Sequence, residues 1–338
     1  MTPRPEKILA LQFKYFGDAV LMTPALRALH EKLPQAELHL LVPAEIAPLF
    51  HHLPWITRVW PMPRRRGSAN LGATLPLIRA LRRQRFTRSV DFAGNDRGAI
   101  LSRLIGARQR LGWSQSGGFF GRKFCYNQRV ELEEKLEHES VRLAHLLSAW
   151  DIKPKALEAE IRADPALATL AENLLPGRTV LCHVASSQPR KEWPLTHWAE
   201  FYRLATAAGL KVAFTTATGE REQSLMAGLK KIVPEAPVLA AISDLPLFLA
   251  VVNQAAVFIS GDTGPLHFAV GLGVPTISLF GPTSPVRWAP IGKRHQIFTG
   301  SPCECEANSA VCKSPRHCLA AIAPAQVFAA LKNFPELS

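Results

Sequence analysis

Three short stretches combine residue types that hold phosphate and move protons. Asp262-Thr263-Gly264-Pro265-Leu266-His267 follows the apolar run 256–260 and reads as a tight turn entering a helix. Pro265 suits a first helical position, with Asp262 or Thr263 as the cap. Such a helix start offers N–H groups and a positive dipole to a phosphate. The second stretch, 183–194, carries Ser186, Ser187, Arg190 and Lys191 on one loop, with Lys191 a point charge for an anion and the serines donors. In the third, Lys14 to Val20, Asp18 follows a glycine at the start of a helix, where a carboxylate is either a cap or a catalytic base. Each stretch also has a plain structural reading: an ordinary capped turn, a solvated basic loop, a helix cap. His267 favours the functional reading of the first, since an apolar helix face has no need of an imidazole.

Positioning them requires alternating strands and helices. Apolar runs at 7–13, 37–42, 58–60 and 89–92 predict strands in the first half, and 179–184, 211–215, 256–260 and 275–280 predict strands in the second. Helical spacing fills most of the gaps, at 71–86, 138–150, 195–208, 220–231 and 244–253, with a last helix at 324–334. Strand, polar turn, helix, strand is the unit of a parallel sheet, and all three stretches lie where such sheets bind ligands, beyond strand carboxyl ends. The glycine-rich run 112–122 lacks the Lys and Ser/Thr of a P-loop, and no G-x-G-x-x-G follows the first strand, which disfavours a dinucleotide-dependent dehydrogenase.

The 338 residues suggest about two domains, with a boundary in the Pro- and Gly-containing stretch 161–178. The net charge of +13 is unevenly placed: residues 1–162 hold 26 Lys and Arg against 15 Asp and Glu, the rest 14 against 12. Arg64-Arg65-Arg66 and five arginines between 79 and 88 carry much of the excess. A basic half suits an anionic partner: nucleic acid, lipid headgroups or a phosphorylated glycan; it is also what a solvated arginine-rich surface looks like. No nucleic-acid-binding pattern accompanies the charge, so nucleic acid is the weakest of the three. No apolar run is long enough to span a membrane and the amino terminus has no secretory pattern, which predicts a cytoplasmic protein. Cys303, Cys305, Cys312 and Cys318 follow no familiar zinc spacing, and metal ligation, disulfides and thiols all stay open. Cys125 and Cys182 read as buried small apolar residues.

Taken together, Gly17-Asp18 after the first strand, Lys191-x-Trp193-Pro194 after the first strand of the second half, and Asp262-Thr263-Gly264-x-x-His267 followed by Leu279-Phe280-Gly281-Pro282-Thr283 resemble glycosyltransferase family nine, which contains the ADP-heptose:lipopolysaccharide heptosyltransferases. The resemblance covers nearly the whole chain. It implies an α/β chain of GT-B fold: two Rossmann-like domains facing a central cleft, an acceptor domain over 1–165, a nucleotide-sugar domain over 166–322, and a helix over 323–338 returning to the first domain. It implies inverting, metal-independent transfer of a sugar, heptose foremost, from an ADP-sugar to an anionic lipopolysaccharide core, in the cytoplasm and in peripheral contact with the inner membrane. No cofactor is required, and a structural metal or disulfides at the four cysteines remain open. Carried over, Asp18 resembles the general base, Lys191 the phosphate lysine, and Asp262, Thr263, Gly264 and His267 the donor-site motif. Ser186 and Ser187 stand where family members commonly place phosphate-facing hydroxyls, and Glu220 or Glu222 where a family glutamate holds the ribose; in the basic first half, Arg64, Arg65 and Arg66 are the expected acceptor residues. Two other readings compete: a GT-B nucleotide-sugar epimerase or hydrolase, with Asp91 or Asp96 as an acid, and a non-catalytic polyanion-binding protein.

Overall fold

The computed structural model describes residues 5–63, 71–114, 118–132, 137–302 and 317–337. The chain divides into two compact units, the first ending at Arg162 and the second beginning at Ala163.

In the first unit six parallel strands, β1 (Lys7–Leu11), β2 (Glu37–Pro43), β3 (Arg58–Met62), β4 (Arg88–Asp91), β5 (Gln109–Ser114) and β6 (Gln128–Glu131), form a sheet of order β3-β2-β1-β4-β5-β6. The helices are α1 (Phe16–Leu21), α2 (Thr23–Lys32), α3 (Leu71–Arg83), α4 (Asp96–Ile105) and α5 (Glu139–His145). Central strands read as unbroken apolar runs because both faces are covered; Leu9, Leu11 and Leu41 are buried together with Leu81 and Phe86. The sheet reverses its winding between β1 and β4, with Leu11 opposite Asp91, so a crevice opens at the carboxyl ends of those two strands.

The second unit has five parallel strands, β7 (Thr179–His183), β8 (Lys211–Thr215), β9 (Val257–Gly261), β10 (Thr276–Phe280) and β11 (His295–Thr299), in the order β11-β10-β9-β7-β8. Its helices are α6 (Ala168–Leu174), α7 (Leu195–Ala207), α8 (Glu220–Ile232), α9 (Leu245–Gln254), α10 (Gly264–Gly271), α11 (Pro285–Trp288) and α12 (Pro324–Leu331). The reversal here lies between β7 and β9, the two strands followed by the phosphate-type loops.

The last helix, α12, packs on α7, and Val327, Ala330, Leu331 and Phe334 lie in the same apolar core as Trp198, Phe201 and Phe214. Its apolar face is buried in the core of the second unit. Three strands carry no apolar run in the sequence: β5, β6 and β11. Strands β6 and β11 end their sheets, are partly exposed and mix polar with apolar residues.

Candidate functional site

In the second unit the loop after β7 and the turn after β9 meet at one ion pair. Lys191 Nζ lies 2.8 Å from Asp262 Oδ2, and the His267 ring stands on the other carboxylate oxygen, Nε2 to Oδ1 3.8 Å. Burial alone would raise the Asp262 carboxyl. The His267 ring and the Lys191 ammonium outweigh it and hold the group well below the usual carboxylate range.

The spacing Lys-x-Trp-Pro has a mechanical reason. Trp193 is buried, packs edge-on against Trp198 and donates its indole N–H to the Ile322 carbonyl at 3.0 Å. Pro194 caps α7. The loop is thus nailed to the core two residues beyond Lys191. Gly261 seats it on β9, since a methyl group there would come within 2.7 Å of the Lys191 carbonyl oxygen. Earlier in the loop, the Ser186 N–H donates to Glu192 Oε1 at 2.9 Å, and Arg221 bridges Glu192 and the Ser186 carbonyl. Ser186 is buried and Ser187 exposed.

Thr263 is the cap of α10: its hydroxyl accepts the Leu266 N–H at 3.4 Å. Pro265 has no N–H, which leaves Thr263 and Gly264 to supply the donors at the helix end. Of the two glutamates at the start of α8, Glu222 is half-buried and acts on His183 at the end of β7, whereas Glu220 is exposed.

Sequence reasoning passed over a cluster at the ends of β7 and β8. His183 Nδ1, Thr215 Oγ1 and Thr216 Oγ1 are buried without a hydrogen-bond partner among the described residues, as is Thr283 Oγ1 beyond β10. His183 and Thr215 are opposite each other in the sheet. Burial pushes the His183 imidazole down to about 4, so it is neutral near pH 7. Buried polar atoms lacking partners are costly, and a run of them at strand carboxyl ends is a signal available only in three dimensions.

In the first unit, Asp18 lies in the first turn of α1 and is buried. The capping position is Tyr15, which makes no side-chain cap bond; the Asp18 carboxylate reaches back to the Tyr15 N–H. Lys14 Nζ stands between two carboxylates, 3.8 Å from Asp18 Oδ1 and 3.9 Å from Glu139 Oε1. Glu139, wholly buried at the start of α5, is also gripped by the Arg142 guanidinium, Nε to Oε2 2.8 Å. Burial raises the Asp18 carboxyl above its ordinary value, opposed by Lys14 and reinforced by Glu139. A raised, buried carboxylate beside the β1–β4 crevice suits proton abstraction.

The two alternative acids, Asp91 and Asp96, are each already engaged. Asp91 is sealed in the interior, where Tyr126 OH donates to Oδ2 at 2.6 Å and the Ala93 N–H to Oδ1 at 3.0 Å. Asp96 is paired with Arg122 at 3.6 Å. Arg64, Arg65, Arg66, Cys303, Cys305 and Cys312 lie outside the described residues; Cys318 is buried beside Gly281.

Comparison with known proteins meets this geometry from another side. The family model for glycosyltransferase family 9 (heptosyltransferase) matches residues 74–316. The chain belongs to glycosyltransferase family 9. Over 307 residues this family 9 chain is 23% identical to lipopolysaccharide heptosyltransferase 2 of Escherichia coli K12, covering 86% of this chain and 87% of the relative. Among solved structures, a family 9 glycosyl transferase from Veillonella parvula superposes with a TM-score of 0.82 at 17% identity, covering 97% of each chain. An E. coli heptosyltransferase with ADP gives 0.77 at 21% identity, covering 97% of this chain and 99% of that one. At such identities the structural likeness speaks for the fold, which is GT-B. Membership of family 9 makes the chain a transferase. Among the described residues no helix is long and apolar enough to cross a membrane.

Proposed function

We propose that this family 9 chain moves a heptosyl group, with inversion, from an ADP-heptose donor to a lipopolysaccharide core acceptor at the cytoplasmic face of the inner membrane. The observation that carries the donor half is the Lys191–Asp262–His267 constellation at the winding reversal of the second sheet, beside the amino end of α10.

Asp18 takes the proton of the acceptor hydroxyl as its oxygen attacks the anomeric carbon. The bond from that carbon to the β-phosphate oxygen breaks on the opposite face, and ADP leaves with the bonding pair. One in-line displacement needs one base. The charge that grows on the diphosphate meets Lys191, already oriented by Asp262, and the Thr263 and Gly264 N–H groups with the α10 dipole behind them. These cationic and dipolar groups do the work a divalent ion would otherwise do, so turnover in chelator is expected to match turnover without it. Ser186 and Ser187 add hydroxyl donors. Glu222 takes the ribose hydroxyls, and His183, Thr215 and Thr216 gain from the donor the hydrogen bonds they lack. The basic first unit draws the phosphorylated core.

Purified protein incubated with ADP-heptose and a heptose-free core acceptor should release ADP and heptosylated core in equal amounts, with the anomeric configuration reversed by NMR. Donor consumption that proceeds unchanged without acceptor would replace this reading by epimerisation or hydrolysis.

A further inference from the structure

One face of the first unit is built to meet something large and anionic. It is assembled from α3, α4 and the turn 118–125. On α4, Ile100, Arg103 and Leu104 fall on one exposed side, at helical spacings of three and four. Ala99 on the flank packs with Cys125 and Tyr126, which lays the turn against the helix. Arg103 is close enough to Cys125 to pull on its thiol. On the other flank, Arg82 of α3 donates to the Leu104 carbonyl at 2.7 Å. The turn carries Phe119 and Phe120 between Gly118 and Gly121, both at positive φ (87° and 95°), so the pair projects from a bend that favours glycine at each end. Phe120 is 103% exposed and Phe124 68%, with Lys123 Nζ 5.2 Å from the Phe124 ring centroid.

Leaving such rings in water forgoes the gain of burying them, and a cluster of exposed large apolar groups marks an interaction surface. Charge decides the kind of partner. Residues 71–125 contain eleven Lys and Arg and two acids. Of those acids, Asp91 is buried and Asp96 is paired with Arg122. No unpaired acid faces outward among the described residues of this segment. Aromatic side chains and a basic surface would also suit single-stranded nucleic acid, but Ile100 and Leu104 offer no platform for bases. Aliphatic and aromatic groups interleaved with long basic side chains match the layering of a bilayer interface, with rings at the acyl boundary and cations at the phosphates.

We propose that the α3–α4 face and the Phe119–Phe120 turn dock the protein on an anionic phospholipid bilayer. This deepens the proposed function, which already places the acceptor on a lipid, by naming the surface that touches the membrane. Docking here presents the crevice of the first sheet to an acceptor held at the membrane surface, so transfer becomes a reaction at an interface.

The test is co-sedimentation of the full chain with phosphatidylcholine vesicles, with and without phosphatidylglycerol, beside a double variant, Phe120→Ser with Phe124→Ser. Wild type should bind the anionic vesicles, lose affinity as salt rises, and bind neutral vesicles at least about tenfold more weakly. The double variant should bind anionic vesicles at least about tenfold more weakly than wild type, with an unchanged melting temperature, because neither ring is packed in a core. It should also glycosylate a deacylated, water-soluble acceptor at the wild-type rate while losing activity on vesicle-borne acceptor. Wild type indifferent to phosphatidylglycerol, a variant that binds like wild type, or binding of single-stranded RNA without binding of vesicles would each overturn the proposal. Vesicle binding is read without donor, so a protein that docks as expected yet transfers no heptose would overturn the proposed function and leave the docking surface standing.

Discussion

Lys191 and Asp262, seventy-one residues apart, form a 2.8 Å ion pair that ties the loop after β7 to the turn after β9. The pair is partly buried, and Asp262 keeps its charge against burial because of Lys191 and His267. An ammonium has three donors. With one engaged by Asp262, the others remain for a diphosphate.

Lys191→Ala should therefore weaken ADP far more than adenosine. A charge-assisted hydrogen bond is worth about 1.5 to 3 kcal/mol, or roughly 10- to 150-fold in affinity. Titration calorimetry with both ligands reads the difference. Equal affinity of mutant and wild type for ADP would remove Lys191 from the donor site.

Asp18→Asn tests the base. If the carboxylate only supports the helix start, the amide serves nearly as well, stability shifts by about 1 kcal/mol at most, and turnover stays near normal. If it takes the acceptor proton, ADP-heptose binding persists while turnover falls by about 10² to 10⁴. A melting curve and a single-turnover rate on the same preparation separate the two.

Glu139→Gln probes the neighbour of that base. Burial raises Asp18, Lys14 opposes, and the Glu139 charge raises it further. Taking that charge away, and leaving Lys14 closer company for Asp18 alone, should move the acid limb of kcat/KM to lower pH. A purely structural role predicts a change in melting temperature with the limb unmoved.

Asp91 makes a prediction about stability. Burial lifts its carboxyl from 3.8 to about 6, against the pull of the Tyr126 hydroxyl and two backbone N–H groups. Between those values the native state binds more protons than the unfolded chain. This contribution to stability is full below about pH 4 and lost as pH rises through about 6, amounting to about 3 kcal/mol. Asp91→Asn removes the ionisable group and keeps the shape. Its melting temperature relative to wild type should rise between pH 4 and pH 7, and a constant difference across that range would show that Asp91 does not titrate there.

Glu222→Gln should weaken ADP binding and Glu220→Gln should not, because only Glu222 turns in toward His183. Matching losses for both would place the ribose elsewhere.

Much of this was legible in the sequence for a physical reason. Buried parallel strands must be apolar on both faces, and tight turns at their ends need Gly, Pro, Asp or Thr, so β1, β7, β9 and β10 and their turns announce themselves. Strand β5, Gln109–Ser114, does not, because it holds an arginine, a glycine and a serine, and strands β6 and β11 face water in part. Glu139 was illegible for another reason. A glutamate in the first turn of a helix is ordinary on a surface, and only the convergence of Lys14 and Arg142 makes its burial tenable. His183, Thr215 and Thr216 are unremarkable strand-end residues until their missing partners are seen.

The bare backbone of Gly261 has a practical consequence. The Lys191 carbonyl rests where a side chain would stand, so the two donor loops are indexed to each other by main chain and by the Trp193 anchor. Within the first loop, the Ser186 hydroxyl accepts the Gln188 N–H at 3.4 Å and Gln188 Oε1 accepts from Arg190 Nε at 2.9 Å, so those two side chains brace the loop, while Ser187 is exposed. A directed-evolution library confined to Ser187 would sample donor preference while Lys191 stays in register, and the same library spread to 261 would lose both together.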